Sequence, residues 1–122
     1  HNWHANAAMN LSLKSLLEEG LENSFRRHNE TAVYCRSRIA SMGLELYARE
    51  EELASPTVTA VRIPSGWTWP RLDASLREHG MAVGGSYGQL AGKVFRIGHM
   101  GSQADIGLVR KGMDILEEVL NK

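Results

Sequence analysis

The stretch Met81-Ala82-Val83-Gly84-Gly85-Ser86-Tyr87-Gly88-Gln89-Leu90-Ala91-Gly92-Lys93-Val94-Phe95-Arg96-Ile97-Gly98-His99-Met100-Gly101 sets the architecture. Two short apolar runs, Met81 to Val83 and Val94 to Ile97, flank a segment with glycine at 84, 85, 88 and 92. Runs this short, punctuated by glycine, read as two strands joined by a loop. On the amino-terminal side, Trp69-Pro70 opens a helix, because proline fits the first turn, where no N–H is needed. Leu72 and Leu76 face inward from that helix, and Gly80 closes it. On the carboxy-terminal side, Ile106, Val109, Met113, Leu116, Val119 and Leu120 mark one apolar stripe of a terminal helix. Ser102 or Gln103 stands near its start, with Asp105 in its first turn.

Further out, Val58, Ala60, Arg62 and Pro64 alternate with Thr57, Thr59, Val61 and Ile63, the period of a strand with one buried face. Leu44 and Leu46 predict another strand, separated from it by the loop Arg49 to Pro56. Before Gly43, apolar residues recur every three or four positions: Leu13, Leu16, Leu17, Leu21 and Phe25, then Ala32, Tyr34, Cys35, Ile39 and Met42. We expect one helix from about Asn6 to Met42, kinked at Gly20, with that stripe buried and Glu22, Arg26, Arg27, Glu30, Arg36 and Arg38 on a solvated face. The expected order is helix, strand, strand, helix, strand, strand, helix. This is an α+β domain with a mostly antiparallel sheet and helices on one face.

The 122 residues suit one domain with its own core. Fourteen basic residues balance fourteen acidic ones, so no positive field favours nucleic acid or an anionic membrane. A single cysteine, Cys35, excludes an internal disulfide and fits a reducing, cytoplasmic setting. No apolar run is long enough to span a membrane. The chain starts at His1, not Met, and reads as a piece of a longer protein. His1 and His4 have a spacing that permits a shared metal, but no acidic or cysteine ligand stands beside them, and a terminus is the simpler reading.

The block Gly92 to Gly101, Gly92-Lys93-Val94-Phe95-Arg96-Ile97-Gly98-His99-Met100-Gly101, resembles the G-K-x-x-R-I-G-x-x-G run of class V, pyridoxal-phosphate-dependent aminotransferases of the alanine–glyoxylate, serine–pyruvate and pyridoxamine–pyruvate type. Glu19 to His28 resembles that family's long interdomain helix, and Pro56 to Val61 the first main strand of its small domain. The resemblance implies a poorly matched leader at 1–9, an interdomain helix at 10–43 and the carboxy-terminal small domain at 44–122. It further implies that Arg96 binds the substrate carboxylate. A planar guanidinium offers two parallel donors matched to that group, where an arginine on a strand is otherwise usually a surface ion-pair partner.

The same resemblance places pyridoxal 5'-phosphate, its lysine and its acid in a large domain preceding this chain. None of Lys14, Lys93, Lys111 and Lys122 has a matching context, so no cofactor is expected on this chain and no activity from it alone. The implied partners are a small amino or 2-oxo acid, such as glyoxylate or pyruvate, the large domain, and a second subunit of a homodimer. The competing reading is a stand-alone module that holds a carboxylate metabolite at Arg96 without turnover. Of the remaining residues, His99 is expected to be structural or solvent-facing, Cys35 a buried small hydrophobe, and Trp67 and Trp69 packing at the sheet edge. The glycines at 84, 85, 88 and 92 read as a rim beside Arg96, since no phosphate-loop signature follows them.

Overall fold

The computed structural model describes residues 2–122; the His1 half of the His1–His4 pair lies outside the described residues. Among those residues no group of three or more His, Cys, Asp or Glu side chains could hold a metal, and no helix is long and apolar enough to cross a membrane. The elements are α1 (Trp3–Glu19), α2 (Leu21–Ser41), β1 (Val58–Arg62), α3 (Trp69–Glu78), β2 (Val94–Gly98) and α4 (Ile106–Leu120).

The single amino-terminal helix expected from the periodicity is two helices. Gly20 adopts φ +83° and ψ 138°, a backbone conformation closed to other residues, so the helix breaks there instead of kinking. The Gly20 N–H still closes α1 on the Leu16 carbonyl at 2.9 Å, and its own carbonyl accepts from Ser24 N–H at 3.0 Å to open α2. The Arg27 guanidinium secures the junction. It grips both carboxylate oxygens of Glu19 at 2.6 and 2.9 Å and donates to the carbonyls of Gly101 and Ala104.

The break also overturns the expectation of one continuous buried stripe. Nothing in α1 is buried, and Leu13, Leu17, Leu21 and Phe25 face outward, because no other element of this chain lies over that face. Further along α2 the stripe holds: Ala32, Cys35 and Ile39 are fully buried. Burial raises the Cys35 thiol above its ordinary range. Arg36, expected on the solvated face, is instead buried, its guanidinium paired with Glu51 and donating to the Ser55 carbonyl.

β1 and β2 pair antiparallel, with Thr59 opposite Ile97, Ala60 opposite Arg96 and Val61 opposite Phe95. The two outer strands expected from the sequence shrink to single bridges, Leu46 to Val61 and Gly84 to Arg96. Tyr47 N–H to Ala60 and Arg62 N–H to Glu45 fix the first, and the reciprocal Gly84–Arg96 bonds at 2.9 and 2.7 Å fix the second. The α+β class and the antiparallel order stand as expected. Strand alternation sends Thr59, Val61, Phe95 and Ile97 to one face. There they meet Cys35 and Ile39 of α2, Leu72 and Leu76 of α3, and Val109, Met113, Leu116 and Val119 of α4 in one core. Asp105 is the cap of α4, its carboxylate accepting from Leu108 N–H at 2.8 Å, whereas Ser102 and Gln103 sit in the preceding turn.

Candidate functional site

With Phe95 and Ile97 committed to the core, the pleat turns Arg96 to the opposite, uncovered face. Its neighbours there are the smallest the chain offers. Ala60 lies across on β1, and on the other side Gly84 pairs with it, where a Cβ would stand 3.6 Å from an Arg96 terminal nitrogen. The guanidinium is half-buried. Its Nε donates to the Gly85 carbonyl at 2.8 Å, and the Tyr87 ring lies 5.3 Å from its central carbon. Gly85 is required by its surroundings: a Cβ would come within 2.9 Å of the Trp69 indole. Trp69, at the start of α3, therefore packs on the backbone whose carbonyl holds Arg96.

Among the described residues Arg49, Arg71, Arg96 and Arg110 have no carboxylate within ion-pair distance, and of these Arg96 alone stands on a strand. Arg27, Arg36, Arg38, Arg62 and Arg77 each contact a carboxylate. Arg62 shares the Arg96 face, yet it bonds Glu45 at 2.8 Å and covers the Tyr47 ring. Arg96 has no carboxylate within ion-pair distance among the described residues, and its two terminal nitrogens are unspent. A guanidinium with its stem nitrogen fixed and its two end nitrogens free is a ready receptor for a carboxylate.

His99 belongs to the other face. It is fully buried, its Nε2 bonded to Thr59 Oγ1 at 2.8 Å and its Nδ1 without a partner. Burial, helped by Arg36 and His28, pushes its pKa down, which keeps the ring neutral. It cannot serve chemistry at Arg96 from across the sheet. Trp67 and Trp69 pack at the edge of the core, as expected. The glycine rim expected beside Arg96 includes Gly84 and Gly85, whereas sequence reasoning missed Ala60, Trp69 and Tyr87 as its surroundings. The available signal was an aromatic residue inside a glycine-bearing segment one bridge away from the arginine strand.

No protein-family model matches the chain. It is similar to alanine–glyoxylate aminotransferase from Callithrix jacchus, 40% identical over 111 residues, covering 90% of this chain and 26% of that protein. It is also similar to L-aspartate–glyoxylate aminotransferase from Paracoccus denitrificans, 44% identical over 98 residues, or 80% of this chain and 25% of that protein. Among solved structures, alanine–glyoxylate aminotransferase from Nostoc sp. superposes with a TM-score of 0.83 at 38% identity, covering 88% of this chain and 29% of that one. Pyridoxamine–pyruvate aminotransferase from Mesorhizobium loti gives a TM-score of 0.82 at 36% identity over 86% and 27%. The fold and the matches define a domain like the one these aminotransferases carry over the shared residues. More narrowly, over the residues it shares, the chain belongs with the class V aminotransferases of the alanine–glyoxylate type. It spans about a quarter of the length of the curated relatives it matches.

Proposed function

We propose that this chain is the carboxy-terminal small domain of a pyridoxal-phosphate-dependent aminotransferase that moves an amino group between an amino acid and a small 2-oxo acid such as glyoxylate or pyruvate. In this reading 10–43 bridges to a large domain, 44–122 is the small domain, and Arg96 receives the substrate carboxylate. The full protein works as a cytoplasmic homodimer. The observation that carries the proposal is the Arg96 guanidinium, anchored through Nε to Gly85 at 2.8 Å with both end nitrogens free on an uncovered sheet face.

Pyridoxal phosphate would supply the electron sink for transamination. The lysines here do not suit it: Lys14, Lys93, Lys111 and Lys122 are all exposed, with Lys14 paired to Glu18 and Lys122 to Glu118. The proposal assigns that group to the rest of the full protein. What this chain contributes is orientation, because two parallel N–H donors fix the carboxylate and hence the direction of the bonds at the α-carbon.

The test is Arg96→Lys and Arg96→Gln in the full protein, assayed with glyoxylate and pyruvate as acceptors. Loss of a bidentate charged contact costs about 2–4 kcal/mol, so kcat/KM should fall roughly 30- to 1,000-fold. An unchanged kcat/KM in both variants, or a wild-type protein inert toward both acceptors, overturns the proposal.

A further inference from the structure

Tyr87 has no part in the core, and its side chain is 81% exposed. The Tyr87 ring stands on the loop between Gly85 and Gly88, and the guanidinium of Arg96 lies 5.3 Å from its centroid. A cation of this kind is drawn to the negative face of the ring, with Arg the commonest partner. Of the five N–H donors of a guanidinium, the Nε–H is already given to the Gly85 carbonyl. The Gly85 bond fixes the stem edge and the Tyr87 ring restrains the group from the side. The edge carrying the two end nitrogens is then the one presented to a ligand.

We infer that Tyr87 is a positioning residue for the Arg96 guanidinium, holding it so that a carboxylate is met edge-on by both end nitrogens. The inference rests on the reading of Arg96 as the carboxylate receptor. The ring acts by limiting the orientations Arg96 must give up on binding, and such rotamer ordering is a substantial part of the cost of recognition. The phenol hydroxyl plays no part in the argument, so phenylalanine should serve equally well. An aliphatic side chain of similar bulk should not, because it has no charged ring face to offer.

The experiment uses the full protein carrying Tyr87→Phe, Tyr87→Leu, Tyr87→Ala or Arg96→Lys, with pyruvate as the probe. Pyruvate affinity is read from titration of the Arg96 Nε–H resonance, in Arg96→Lys from competition against glyoxylate turnover. Because Tyr87 is exposed, none of its substitutions threatens the core. The ring displaces the Nε–H resonance, and that displacement should persist in Tyr87→Phe and vanish in Tyr87→Leu and Tyr87→Ala. Pyruvate affinity should fall roughly two- to fivefold in the last two, as expected for an exposed cation–ring contact, and hold in Tyr87→Phe. Wild-type affinity in Tyr87→Ala beside a crippled Arg96→Lys overturns the inference and leaves the reading of Arg96 standing. A Tyr87→Phe protein as weak as Tyr87→Ala overturns it too, by assigning the effect to the hydroxyl. If Arg96→Lys binds pyruvate normally, the reading of Arg96 falls and the role of Tyr87 with it.

Discussion

The two faces of one small sheet are put to opposite uses. On the inner face Thr59, Val61, Phe95, Ile97 and His99 are sealed under three helices, every one at or below 5% exposure. On the outer face Ala60, Arg62 and Arg96 lie in the same strands one residue out of step, partly open and carrying charge. Successive residues of β2 thus point to opposite faces: Phe95 packs into the core, and Arg96 is held out from it, where the proposed carboxylate contact lies. A strand that serves both ends this way must keep its register, since a slip of one residue would bury the guanidinium and expose the phenyl ring.

The largest effect expected from breaking this division is Phe95→Ala. Phe95 is fully buried among core residues from α2, α3 and α4, and truncating such a side chain costs about 3–5 kcal/mol. Hydrogen exchange of the β1 and β2 amides in the full protein should register most of that loss. The same amides in Arg96→Gln should stay within about 1 kcal/mol of wild type, since the outer side chain leaves no cavity. Equal losses in the two variants would dissolve the distinction between the faces.

Gly85→Ala comes next, and it attacks the outer face through its support. The added Cβ would meet the Trp69 indole at 2.9 Å, so either the ring or the Gly85 backbone has to move, at about 1–3 kcal/mol. KM for the 2-oxo acid should rise because the carbonyl that anchors Arg96 Nε is displaced. Gly84→Ala is the control: its Cβ would rest at an ordinary 3.6 Å and should leave both stability and KM near wild type.

These two faces also mark how far the sequence can be read. Alternation along Thr57 to Ile63 and the apolar run around Arg96 find β1 and β2, because a period of two is a local signal, while which face is buried is settled by the helices that cover it. The same kind of signal misleads in α1 and at the start of α2. Leu13, Leu17 and Phe25 have helical spacing, but spacing says that a face is apolar and not that this chain covers it. Arg36 fails for the complementary reason, since its burial depends on Glu51 arriving from a loop fifteen residues away. Arg96 was singled out through its motif and Gly85 through the glycine-bearing segment, whereas Tyr87 and Trp69 were not, because their meeting depends on how a loop folds back across the sheet edge.

A smaller effect should come from the inner face as pH falls. His99 is buried and its pKa is held below the ordinary histidine value, so the folded domain stays neutral there where the unfolded chain, at about 6.5, takes up a proton. Protons then favour the unfolded state. The contribution is absent above about pH 6.5 and destabilises progressively as pH drops from that value toward the lowered folded one, by at most about 1.4 kcal/mol per pH unit. The stability difference between wild type and His99→Gln should therefore shift in favour of the variant between pH 7.5 and 5.5, measured by the same hydrogen exchange. A difference that stays flat over this range would mean that the ring binds protons equally in the folded and unfolded states.

The smallest effect expected is the most informative about the outer face, because it concerns the arginine that Arg96 could have been. Arg62 sits on the same face and also lies over a tyrosine, at 5.4 Å, but its Nε is already bonded to Glu45 at 2.8 Å. Both partners are substantially solvent-exposed, so the pair is worth only about 0.2–1 kcal/mol and weakens in salt. Arg62→Gln should thus cost little stability and leave KM for glyoxylate or pyruvate unchanged, whereas the same substitution at Arg96 should lower kcat/KM roughly 30- to 1,000-fold. If Arg62→Gln also raised KM, positive charge on this face would suffice for the carboxylate. If it does not, what distinguishes Arg96 is a guanidinium anchored by its stem, with no internal carboxylate to satisfy its two remaining nitrogens.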